Sequence, residues 1–499
     1  MYSKKVMEIF KNPKHMGEIK NPDSVGRVGN PTCLVYDERI HVNDSLIEIS
    51  NASTKHQTIG QNGIYNDIYQ VIKRRHNGKI ISLHNQLGKV CLTPEHLILS
   101  IKVPKTDKFR RIKNKRTLNA TWYHASDLQK GDIVLYPILQ SVQDQNTIKV
   151  DVRKSRWDFR SKAIPNEVPL NEEFLRLSGY FLSEGSVRDE PSKSYTQFSL
   201  HIGEEHIAQD IGNICNNLFS LNIKATKDPK GNSLNVFVYN THLARFLKNL
   251  FGTGAEQKRI PHFMMLLPPE KQQHLIIGLW RGDGYVNVNR NGPRAGYSTI
   301  SYQLAHQIKT LLLRQKISPS MYTEDKRRKG GVAHKKNYRI HVGQRESLSR
   351  LYAILDVDYC PLSYTSVNSW FDGSYLYTPI TKVQTQQFSG TVYNLEVGKT
   401  HSFTSEAFCL HNCGDVMEVQ LRIKESKIRD IKIKTFGCVA AITTASMMAD
   451  LVKGKPLKEA EELRQDDITK ALGGLPPIKR HCSELAIRSL KKAIANYKG

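Results

Sequence analysis

No run of about 18 consecutive apolar residues occurs in the 499-residue chain, which excludes an ordinary transmembrane helix. The first residues, MYSKKVMEIFKNPKHMGEI, also lack the continuous apolar stretch of a secretory signal. A soluble, cytoplasmic protein with no membrane partner is expected. Cysteine is scarce, with 8 residues, and in that compartment thiols are reactive, metal-binding or buried rather than paired as disulfides. Acidic residues are in deficit too: 47 Asp+Glu face 73 Lys+Arg, a formal net charge of +26. That balance favours a polyanionic partner, nucleic acid first. The length exceeds what one hydrophobic core holds, and about three domains are expected.

Texture divides the chain. Residues 1–32 read as a polar helix followed by NPDSVGRVGNPT, where Asn-Pro dipeptides and glycines break any periodicity and predict turns. From 33 to about 160 short β-rich runs such as Leu46–Ile49 and Ile80–Leu83 alternate with Asn, Gly and Asp clusters. From about 168 to 356 helical stretches alternate with strands such as Gln197–Ile202 and Asn235–Val238, and 389–412 return to strand character. The tail predicts strands at 416–423 and Ile428–Thr435 and an amphipathic terminal helix through Ala486, Leu490, Ala493, Ile494 and Tyr497.

Two junctions carry acyl-transfer chemistry. Cys33 follows Thr32 directly, so its thiol can attack the Thr32 carbonyl and convert that amide to a thioester. The conversion is uphill, so it needs an acid for the departing nitrogen and donors for the oxyanion, which Thr93 and His96 of TPEHLILS can supply. At the other junction His411, Asn412 and Cys413 join an imidazole, an amide that can cyclise onto its own carbonyl and a second thiol. These residues, with GTVYNLEVGKTHSFTSEAFCLHNC, resemble the intein (Hint) family. The resemblance implies that Cys33 forms the thioester, Cys413 accepts the acyl chain, and Asn412 cyclises to release the insert, with His96, His401 and His411 moving protons. The family usually has Asp where this chain has Asn394, and an amide is neither acid nor base.

Within the insert, LSGYFLSEG (177–185) and IIGLWRGDG (276–284) repeat Gly, four residues, acid, Gly. The pair resembles the LAGLIDADG (dodecapeptide) homing endonucleases. The resemblance implies that Gly179 and Gly278 let two helices approach, that Glu184 and Asp283 share Mg²⁺ for hydrolysis of double-stranded DNA at the empty insertion site, and that Lys258 of KRIP assists. Basic clusters at Lys105–Arg116 and Asp325–Arg339 are candidates for phosphate contacts.

Joined, Thr32 and Cys413 give GNPT-CGDVMEVQLRI, a chain with three cysteines, Cys413, Cys438 and Cys482, and with Asp415 and His481 beside two of them. Three thiolates and one further donor suit zinc or an iron–sulfur cluster, at intervals too long for a zinc finger. NPKHMGEI, TFGC and LGGLPPIKRHCS resemble NifU/IscU-like scaffolds. That implies cluster assembly on Cys413, Cys438 and Cys482, with Asp415 at the metal site tuning its lability and His481 as a candidate ligand. It also implies a cysteine desulfurase, a chaperone at Leu475 to Lys479 and apo-protein acceptors as partners. Cys91, Cys215, Cys360 and Cys409 are expected to pack. The expected organisation is multidomain α+β: a split α+β scaffold (1–32 and 413–499), an all-β Hint splicing domain (33–167 and 357–412), and an α/β two-repeat endonuclease (168–356). The rival reading is an insert that no longer splices, or no longer cuts, and persists as a DNA-binding protein.

Overall fold

The computed structural model describes residues 3–29, 32–43, 45–106, 108, 112–152, 162–190, 193–228, 231–288, 292–324, 335–358, 369–412, 416–475 and 480–498. Three main hydrophobic cores divide them. No helix among these residues is long and apolar enough to cross a membrane.

The two ends of the chain build one core. Strand Ser24–Val28 pairs antiparallel with Val416–Lys424, Ser24 opposite Leu421 and Val28 opposite Met417, and Lys427–Phe436 completes the sheet. This corrects the turn-rich reading of NPDSVGRVGNPT: SVGRV has no periodicity of its own because its partner lies across the whole insert. Helix Arg480–Lys498 lies against this strand, and a Cβ at Gly26 would sit 2.2 Å from Ser489 O and from Ala493 N. Only glycine permits so close a helix. Helices Lys4–Lys11 and Val439–Val452 close the core around Val6, Met417, Ile431 and Met448.

Residues 33–137 and 370–411 build the second core. In its five-stranded sheet Leu34–Val35 pairs on one side with Lys382–Val397 and on the other with Gly88–Leu92. The 21-residue strand Tyr65–Asn85 runs alongside Lys382–Val397, from Lys382 opposite His84 to Val397 opposite Ile68. The stretch Arg74–Lys79 alternates half-buried with exposed residues, so it forms a charged ribbon, while Ile80–Leu83 turns into the core. A seven-stranded sheet holds Leu97–Ile101 beside Cys409–His411, which pairs with Ser402–Thr404 as a hairpin.

The third core is a repeat. Helix Glu172–Glu184, capped by Asn171 accepting from Phe174 N at 3.0 Å, leads into a four-stranded sheet. Helix Pro269–Gly282, with proline at its first position, leads into a second sheet of the same strand order. Every pairing in both sheets is antiparallel, which corrects the α/β expectation for this segment to α+β. The sequence shows helix and strand alternating, as a parallel sheet also would, and only the pairing separates the two. This core takes in Ile148 and Ile164, upstream of residue 168.

Candidate functional sites

At the first junction the Thr32–Cys33 peptide is buried and held from several sides. Cys33 is 1% exposed. Its N–H donates to Thr93 Oγ1 at 3.0 Å and its carbonyl accepts from Thr93 N at 2.9 Å. Asn394, one residue beyond the Tyr393 that pairs with Leu34, donates Nδ2 to the Thr32 carbonyl oxygen at 2.7 Å and to the Thr32 hydroxyl at 3.1 Å. Its own Oδ1 accepts from Leu395 N at 2.8 Å, which fixes the amide's orientation. The position where Asp was expected is thus a donor on the Thr32 carbonyl. Arg74, on the long strand, donates Nε to Cys33 Sγ at 3.3 Å. Burial holds the Cys33 thiol above its ordinary value, with the Arg74 charge and hydrogen bond opposing. His96 is fully buried; burial and the neighbouring His411 push its imidazole down to about 3, against the backbones of Cys33 and His411. It is neutral at physiological pH.

The second junction lies on the hairpin. Asn412 N donates to His401 O at 2.9 Å, and Asn412 Nδ2 donates to Val397 O at 3.0 Å. His411 packs edge-on against Trp122, with ring centroids 4.9 Å apart. The structure therefore brings Cys33, Thr93, His96 and Asn394 together and sets His401, His411 and Asn412 on one hairpin. Cys413 and Asp415 lie outside the described residues.

In the repeated core the two helices touch through their glycines: a Cβ on Gly179 would stand 2.6 Å from Gly278 Cα, and one on Gly278 would stand 2.2 Å from Arg176 O. Glu184 ends one helix and Asp283 caps the other. Burial pushes the Glu184 carboxyl up to about 7, with the Asp283 and Glu204 charges adding and Lys258 opposing. Asp283 keeps a solvent-facing surface. The protein around it still displaces enough water to raise its carboxyl, with Lys258 and a Tyr297 hydrogen bond opposing and Glu204 adding. Lys258, 7% exposed, donates Nζ to Ser183 O at 2.7 Å, and burial lowers it to about 8. Among the described residues no group of three or more His, Cys, Asp or Glu side chains is gathered for a metal. Two mutually repelling carboxylates are nevertheless a donor set that Mg²⁺ fits, with water and phosphate oxygens completing it. Glu204 and Tyr297 were not legible in the sequence, since neither falls within the repeated motif.

In the scaffold core Cys438, at the N-terminal cap of Val439–Val452, lies with its Sγ 3.6 Å from that of Cys482, and both are buried. Glu396 Oε1 accepts from Val439 N at 3.4 Å, so the insert sits against this cysteine pair. The His481 side chain, residues 476–479 of the expected chaperone segment, Cys360 and parts of both basic clusters lie outside the described residues. Cys215 and Cys409 are buried; Cys91 is half-buried, pushed up to about 11 by burial and by the neighbouring Glu38.

Residues 1–60 and 396–499 match the NifU-like N terminal domain, and residues 270–355 match a LAGLIDADG-like domain. The chain is therefore a NifU-like domain divided in two, with a LAGLIDADG-like domain inserted between its parts. The first match runs past Thr32 to residue 60, although Leu34–Val35 already belongs to the insert's sheet. An iron-sulfur cluster assembly scaffold protein of Archaeoglobus fulgidus, IscU 1, is 48% identical over 85 residues, 17% of this chain and 56% of that protein. An uncharacterized protein of Methanocaldococcus jannaschii is 27% identical over 430 residues, 76% of this chain and 50% of that protein. The chain thus spans about half the length of these relatives. The homing endonuclease I-DmoI, solved in complex with DNA and Mn, is 14% identical with a TM-score of 0.30, over 38% of this chain and 99% of that one.

Proposed function

We propose that the chain is a self-splicing precursor: the segment Cys33 to Asn412 excises itself and joins residues 1–32 to 413–499, the excised segment cleaves duplex DNA, and the joined flanks assemble iron–sulfur clusters. The observation that carries this reading is the 2.7 Å hydrogen bond from Asn394 Nδ2 to the Thr32 carbonyl oxygen, in a peptide whose nitrogen and thiol are held by Thr93 and Arg74. Cys33 Sγ attacks the Thr32 carbonyl carbon, the C–N bond breaks, and the proton lost by the thiol ends on the Cys33 nitrogen. Negative charge builds on an oxygen that already faces a fixed donor in a water-poor site, where such a donor acts without reorganisation. Neutral His96, beside the Cys33 backbone, is the group suited to relay the proton. The Cys413 thiol then displaces Cys33. Asn412 Nδ2 leaves Val397 O and attacks its own backbone carbonyl carbon, breaking the bond to Cys413, and the freed amine takes the acyl chain from sulfur. In the double variant Cys33→Ala with Asn412→Ala neither bond meets its nucleophile, so only full-length chain is expected by mass. Joined product from that variant would contradict these boundaries.

For the nuclease the reading assigns Mg²⁺ to Glu184 and Asp283; bound there it supplies activation of water and charge for the departing oxygen. Lys258 is the cation fixed beside both acids. The outer faces of the two sheets, with Arg188, Gln197 and Ser199 on one and Tyr285, Tyr322 and Arg339 on the other, are polar enough to lie along duplex DNA at the uninterrupted gene. In the joined flanks Cys438 and Cys482, already neighbours, are joined by Cys413 and Asp415 to hold a cluster assembled there from iron and from sulfur supplied by a desulfurase, and to pass it to acceptors.

A further inference from the structure

Glu406 occupies the tip of the hairpin Ser402–Thr404/Cys409–His411, whose two arms lead to His401 and Asn412. Its backbone N donates to Arg39 O at 3.1 Å within the same β-domain. Three further contacts come from helix Tyr302–Arg314 of the repeated core. Lys309 Nζ donates to Glu406 O at 2.5 Å, Tyr302 OH donates to Glu406 Oε2 at 2.9 Å, and His306 Nε2 lies 3.4 Å from Oε1. Burial keeps His306 far below its ordinary value, so that last contact is made by a neutral imidazole. Arg39 stacks on the Tyr302 ring at 3.7 Å, and Gly88, at φ +148°, leaves room that a Cβ would take within 2.9 Å of Glu406 Oε1.

Lys309 is 0% exposed, and it is not part of an acid site or a DNA-facing strand. Burying an ammonium is costly unless it is hydrogen-bonded and paired. Lys309 finds that compensation in Glu406 and in the Tyr136 ring 5.2 Å away, which itself hydrogen-bonds His41 at 2.7 Å. The same helix sends Leu304, Ile308 and Leu312 into its own core and Leu313 into that of the β-domain. It therefore belongs mechanically to both.

We propose that Lys309 and Tyr302 are positioning residues for Asn412 cyclisation: a helix of the endonuclease segment grips the hairpin tip through Glu406 and holds the second junction in register. The proposal rests on the splicing reading and deepens it. Nothing in the grip touches Cys33, so the two junctions are expected to respond differently.

The test uses the full chain in two backgrounds. With Asn412→Ala, release of residues 1–32 by dithiothreitol reports thioester formation at Cys33. With Cys33→Ala, release of residues 413–499 reports Asn412 cyclisation. Lys309→Met and Tyr302→Phe are each expected to slow the second reaction by about tenfold or more, since small misplacements of reacting groups cost that much or more. The first reaction is expected to stay at the parent rate, and Lys309→Arg to restore the second in part. An unchanged second reaction, or equal loss of both, would overturn the proposal. If the parent backgrounds release nothing at either junction, it is the splicing reading that falls.

Discussion

An amide at position 394 exchanges no proton, but it can donate a hydrogen bond at any pH, and Asn394 donates one to the Thr32 oxygen, which on the proposed splicing reading carries the negative charge. Asn394→Ala is therefore expected to slow thioester formation by about 10²–10³-fold, the usual loss for one oxyanion donor. Dithiothreitol cleavage in the Asn412→Ala background measures it, and an unaltered rate would contradict the role. His96, pushed down to about 3, is already neutral across the working range. The same cleavage followed from pH 5 to 9 should consequently show no break near the ordinary histidine value of about 6.5. A break there that His96→Ala removes would show that the imidazole titrates in place. Cys33, Thr93 and His96 were legible because their chemistry is local to short motifs. Arg74 was not, because it sits in the charged run KRRHNGK, and only the pairing of its strand turns it toward the thiol.

Among elements, the two motif helices show what a repeat in sequence can and cannot tell. Glycine at the shared position signalled close approach, and backbone atoms of one helix do lie where a side chain on the other would stand. Gly278→Ala should cost about 1–3 kcal/mol, the range for overpacking a tight contact. A denaturant midpoint for the repeated core that does not fall would mean that the helices can separate freely. Strand pairing was much less legible. The ribbon of Tyr65–Asn85 with Lys382–Val397 pairs residues far apart in the chain and is at best half-buried over Arg74–Lys79, so it has no local partner and no apolar face there to reveal its alternation in sequence. The strand Ser24–Val28 was misread for the same reason, its partner being supplied from residue 416 onward.

At the scale of the whole molecule, the flanks already form one core while the insert remains in place, since Ser24–Val28 is hydrogen-bonded to Val416–Lys424. Joining Thr32 to Cys413 thus requires no refolding of that sheet. The nuclease acids and the junctions occupy different cores. Glu184→Gln with Asp283→Asn should consequently abolish Mg²⁺-dependent cutting of the uninterrupted gene, measured on linear duplex, and leave joined product unchanged. Residual cutting at the parent rate would move the metal site elsewhere. The central claim is that the insert removes itself, and intact-mass measurement of the expressed chain tests it most directly. The account predicts two masses, residues 33–412 alone and residues 1–32 joined to 413–499. A single full-length mass, or flanks released without being joined, would contradict it.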